Sequence, residues 1–140
     1  MRFAYLLIAE AVTVAAPEKV NALGLGVRRF LAPTFPTLLN AIVVAQVEAS
    51  IEDLGIHNVR FSVIGPGRRA RLLATGTVEL DQREGFDLRR PLTWSAQVPI
   101  TGFPIDKPGP YRVNAVFGKA RANYVFVVDP LEPGAEGSDE

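Results

Sequence analysis

Leu92-Thr93-Trp94-Ser95-Ala96-Gln97-Val98-Pro99-Ile100-Thr101 alternates apolar and polar residues almost without a break. Leu92, Trp94, Ala96, Val98 and Ile100 share one face, and Thr93, Ser95, Gln97 and Thr101 the other. A period of two belongs to a strand with one buried and one solvated face, not to a helix with its period of 3.6. Upstream, Leu72, Ala74, Gly76, Val78 and Leu80 oppose Arg71, Thr75, Thr77 and Glu79. Downstream, Tyr111, Val113, Ala115 and Phe117 oppose Arg112 and Asn114. Val59, Phe61 and Val63 likewise oppose Arg60 and Ser62.

The same reading carried outward predicts eight strands, beginning with one over roughly residues 2–12 and one over roughly 20–30. The others are expected near 41–48, 57–64, 71–80, 92–101, 111–117 and 123–128. The turns are rich in Gly and Pro, as in Gly65-Pro66-Gly67 and Lys107-Pro108-Gly109-Pro110. The best helical candidate, residues 49–54, is barely one turn. Short strands punctuated in this way predict an all-β fold, an antiparallel immunoglobulin-like β-sandwich of about eight strands. The expected domain is 1–130. Residues 131–140 hold four acids and little to bury, and read as a disordered acidic tail.

The chain has 140 residues, with 48% hydrophobic and 21% charged, enough apolar content for one packed core. Fifteen basic residues balance 15 acidic ones, which argues against nucleic acid as a partner. The absence of Cys removes disulfides and thiolate metal sites, and the single His57 removes any mechanism that needs two imidazoles. Arg2 followed by Phe3-Ala4-Tyr5-Leu6-Leu7-Ile8-Ala9 mimics a signal peptide. Glu10 interrupts that run and Pro17 follows Ala16, so a first strand and a cytoplasmic location are expected, with no membrane span.

Two stretches carry resemblances. Phe3-Ala4-Tyr5-Leu6-Leu7-Ile8-Ala9-Glu10-Ala11, then Lys19-Val20-Asn21-Ala22-Leu23-Gly24, then Pro33-Thr34-Phe35-Pro36 resemble an uncharacterised family of short bacterial β-sandwich proteins. In that family an acidic residue, often Asp where Glu10 stands here, closes the first strand. The resemblance implies no activity. Lys107-Pro108-Gly109-Pro110-Tyr111-Arg112-Val113 is similar to the turn that leads into the penultimate strand of many immunoglobulin-like domains.

Candidate chemistry is sparse. His57 has no nucleophile beside it. Asp81, Glu84 and Asp87 are interleaved with Arg83, Arg89 and Arg90, a poor cage for Ca²⁺. Glu10, Glu48 and Glu79 lie on strands, but nothing brings two of them together. No metal and no cofactor is expected, and the protein reads as non-enzymatic. Phe30 to Leu39 contains no charge and two prolines, so it is expected as an apolar loop. It either plugs the core through Phe30 and Leu38 or binds a protein partner or a second copy through Phe35, Leu38 and Leu39. The alternative is a small-ligand or polyanion binder using Arg68, Arg69 and Arg71 at a hairpin tip.

Overall fold

The computed structural model describes residues 1–16, 19–67, 69–81 and 92–131, and for 12–23 the backbone alone. The protein is all-β. Among the described residues ten strands run in the order β1 (Arg2–Ala9), β2 (Ala11–Ala16), β3 (Lys19–Leu23), β4 (Arg29–Ala32), β5 (Thr37–Ala49), β6 (Gly55–Ile64), β7 (Arg71–Leu80), β8 (Leu92–Ile105), β9 (Gly109–Phe117) and β10 (Ala120–Pro130). The helical candidate at 49–54 is a single 3₁₀ turn, Ile51–Asp53.

Eight strands form two larger sheets, β1-β5-β8 and β4-β10-β9-β6-β7, and β2-β3 pair as a hairpin of their own. The two sheets share one core: Ile8, Val43, Val47 and Ile100 from the first meet Phe61, Val113, Phe117 and Phe126 from the second. These residues follow the period of two that the sequence shows. An aromatic column runs through the core. Tyr111 stacks on Phe126 with centroids 5.6 Å apart, Phe103 meets the Tyr111 ring edge-on at 6.1 Å, and Phe30 meets Phe126 edge-on at 5.5 Å. Such pairs add about 0.5–1.5 kcal/mol each beyond their buried area.

Three expectations from the sequence change. The segment expected as one strand over residues 2–12 divides at Glu10, where the chain bends out of the first sheet into the hairpin. The expected strand at 20–30 divides at Gly24-Leu25-Gly26, whose glycines take φ of 66° and 80°; these are left-handed values that favour glycine. Beyond this turn β4 runs parallel to β10, while every other described pairing is antiparallel. The Tyr124 hydroxyl donates to the Val27 carbonyl at 2.8 Å and the Arg28 guanidinium lies over the Tyr124 ring, which fixes the chain as it changes sheets.

The third change concerns residues 30–39, which are not one loop. They comprise the end of β4, a four-residue connection at 33–36, and the start of β5. The prolines bracket the connection, and the Phe35–Pro36 bond is cis. Pro33 follows the last residue of β4 and Pro36 precedes the first of β5, so neither removes a donor from a ladder.

β8 runs four residues further than its alternation, through Gly102, Phe103 and Pro104. It is an edge strand among the described residues, so Pro99 and Pro104 are tolerated there. The Gly102 amide, at the bulge opposite Asn40, donates to the Asn40 side-chain carbonyl at 2.9 Å. Trp94 lies half-buried on the inward side of β8, with its ring 4.9 Å from that of Phe117.

Candidate functional site

The apolar segment at 30–39 is built by alternation on two strands. On β4, Phe30 turns inward to Phe126 and Ala32 is buried, which leaves Leu31 facing out at 52% exposure. On β5, Leu39 is buried in the core at 7% exposure, and its neighbour Leu38 faces out at 64%. Phe35 is half-buried and packs against the core. Of the three residues expected to bind a partner, the structure therefore leaves Leu38 the most open and places Leu39 inside. Of the two expected plugs, Phe30 packs inward and Leu38 does not.

Between the two strands lies a small apolar pocket of about 110 Å³, floored by Leu39, Ile105 and Val128 and rimmed by Leu31, Pro33 and Leu38. At about 30 Å³ per water-sized group, it has room for one aliphatic side chain. Asp129 is in register with Leu31 but is ion-paired to Arg29 at 2.8 Å, so its charge is compensated at the rim. Leu31 is the site residue that the sequence reading missed. Its exposure becomes apparent only once residues 29–32 are known to be a strand.

The hairpin tip is placed differently. Arg69 is exposed, Arg71 donates to the Gly102 carbonyl at 3.2 Å, and Arg68 lies outside the described residues. Lys107 joins the tip, since its ammonium would sit 3.1 Å from a Cβ at position 67.

His57 stacks on Phe117, and its Nε2 is bonded to the Asp53 carbonyl. Asp53 in turn accepts from the Ser50 amide at 2.9 Å and pairs with the Met1 amino group at 3.2 Å. The Ser50 hydrogen bond is the main cause of a carboxyl held below the ordinary aspartate value; burial opposes it, and the amino group adds to it.

The three carboxylates expected on strands lie apart, and Glu10 stands not on a strand but at the bend between β1 and β2. Glu48 accepts from Arg2, Glu79 is in register with Ile56, and Glu10 lies over Gly24. A Cβ at position 24 would fall 2.8 Å from the Glu10 side chain. Two residues of the resemblance are thus brought together at the base of the β2–β3 hairpin. Of the carboxylates weighed for Ca²⁺, Asp81 is exposed at the end of β7, and Glu84 and Asp87 lie outside the described residues. Among the described residues no group of three or more His, Asp or Glu side chains could hold a metal ion, and no helix is long and apolar enough to cross a membrane.

The comparisons with known proteins fit a fold without an assigned role. Residues 4–125 match the sequence model of a family of unknown function (DUF6941), and the chain belongs to that family. No curated protein matches the chain. Among solved structures, the chain is similar to part of a β-glucosidase from Listeria innocua determined in complex with isofagomine. The TM-score is 0.50 at 10% identity over 90% of this chain. The chain spans only 16% of that enzyme's length, and the likeness concerns the fold alone.

Proposed function

We propose that this member of a family without an assigned role is a non-enzymatic β-sandwich binding module that associates with a second copy of itself through the apolar rim around Leu31 and Leu38. The observation that carries the reading is self-complementarity. A pocket sized for one aliphatic side chain lies beside an exposed leucine that needs one. A two-fold axis would let Leu38 of each copy enter the other's pocket, the arrangement that closes a dimer with one patch used twice. The patch carries no charge from residue 30 to 39, and Asp129 at its rim is already paired with Arg29, so its closure buries no unpaired ion. Light scattering on Leu38→Asp tests the reading. The variant should melt with the parent at concentrations where both are monomers, and stay monomeric where the parent is dimeric. A parent that is already a monomer, or a variant that still dimerises, overturns it.

We further propose that the sandwich is immunoglobulin-like. The sheet orders support this, as does the passage of the first strand region from β1 in one sheet to β4 in the other. So does the Tyr111 hydroxyl, which donates back to the Lys107 carbonyl at 2.7 Å in the manner of a tyrosine corner. A cytoplasmic location goes with this reading, on the strength of Glu10 within the first apolar run. The second functional reading is a polyanion site at the hairpin tip, favoured by the approach of Lys107 to Gly67 beside Arg69. Salt separates the two: polyanion binding weakens steeply with ionic strength, and association through Leu38 does not.

A further inference from the structure

The centre of the larger sheet's outward face has one sign of charge. β6, β9 and β10 lie side by side at its centre, and their registers align rows across it. Ile64, Arg112 and Val125 form one row, Ser62, Asn114 and Asn123 the next, and Arg60, Val116 and Arg121 the third. Arg60, Arg112 and Arg121 are exposed, and none is ion-paired to a described residue. Residues 56–64, 110–116 and 121–127 contain no Asp or Glu. The acids nearest in register are Glu79 beside Ile56 and Asp129, which is taken by Arg29.

The first row also lies in a groove. Gly65 makes the wall possible: a Cβ there would fall 2.1 Å from the Tyr111 ring, so only glycine lets the turn lie against that ring. Pro66 and Pro110 then stand over a floor of Ile64 and Val125, with Arg112 between them, and enclose an open groove of about 390 Å³. An apolar trough with guanidinium groups at one end and about four residues further along suits a ligand that is both apolar and anionic. Arginine binds carboxylates through paired N–H donors, and a trough of this kind takes one side chain of an extended segment.

We propose that this face binds an extended acidic peptide segment of a partner protein. One bulky apolar side chain sits between Pro66 and Pro110, and carboxylates meet Arg112 and the Arg60–Arg121 pair. The surface is separate from the rim at Leu31 and Leu38, so the two proposals stand or fall independently.

Panning a random 12-residue peptide library against the full chain, followed by fluorescence titration of the enriched peptides, tests the proposal. Enriched sequences should be net negative with one bulky apolar residue. Their binding should weaken with salt and fall roughly tenfold or more in Arg60→Gln/Arg112→Gln/Arg121→Gln. Replacing the apolar residue of the peptide with Ala should also weaken it. All three substitutions are at exposed positions, so the variant should melt with the parent. The proposal is overturned by no enrichment over the bare support, by neutral or basic sequences, or by equal binding to the variant. Polyphosphate competing as well as the peptide at matched charge also overturns it, since the groove would then be idle.

Discussion

Gly65→Ala is a substitution that usually passes unnoticed, and here it should be severe. The φ of Gly65 lies outside the left-handed region, so alanine meets no backbone objection. The objection is space: the new methyl would stand 2.1 Å from Cε1, 2.3 Å from Cδ1 and 3.1 Å from Cζ of Tyr111. The ring has no easy retreat. Phe126 is stacked on it, Phe103 is against its edge, and its hydroxyl is held by the Lys107 carbonyl. Overpacking of this kind costs about 1–3 kcal/mol, and the upper end applies because moving the ring also strains the hydroxyl bond. Urea unfolding should show a midpoint lowered by about 1.5 M if the slope is about 2 kcal/mol per M. Combining the substitution with Tyr111→Leu should recover part of the loss, since the two sites are in contact. A single variant within about 0.5 kcal/mol of the parent, the range of an ordinary surface change, would refute the argument from packing.

Other perturbations follow from the same structure. Trp94→Ala should cost about 2–3 kcal/mol, less than the 3–5 of a fully buried Trp, because its ring is half-buried against Phe117; thermal melting measures it. Phe35→Ser should lower stability by roughly 2–3 kcal/mol in a monomeric sample, because the ring packs against the core. Asp53→Asn should melt below the parent at neutral pH. The folded-state pKa of Asp53 lies below the ordinary aspartate value, so its contribution is present above that ordinary value and is lost as pH falls through the lower one. The melting difference should therefore close in acid, and one that persists there contradicts the assignment. A chain ending at residue 131 should keep the parent's melting temperature and strand-type circular dichroism.

Much of the fold was legible because burial writes its period into the sequence. The alternation at 92–101 and 111–117 is the alternation of the structure, and Phe61, Val113 and Phe117 are core residues by both readings. At 71–80 it holds from Ala74 to Leu80, but a bulge opposite Phe61 and Ser62 shifts the register, so that Leu72, expected inward, is exposed and Leu73 packs against the core. What was not legible lay where backbone geometry rather than burial decides. Residues 2–12 read as one strand although Glu10 interrupts the apolar run, because a single charge in a strand does not by itself record that the chain leaves the sheet there. Residues 30–39 read as a loop because two prolines normally deny pairing, and their position at the ends of a four-residue connection is a matter of register. That register separates Leu38 from Leu39, one open and one buried, and exposes Leu31. Arg60 and Arg112 were each visible on a polar face, but the sequence does not record that they lie on neighbouring strands, with Arg121 one strand further on.

Sedimentation equilibrium of the unaltered protein over a wide concentration range, at low and high salt, tests self-association most directly. Association through Leu38 should give a reversible monomer–dimer equilibrium above the 15.2 kDa chain mass, little changed by salt and abolished by Leu38→Asp. A single species at the monomer mass across the range would contradict it.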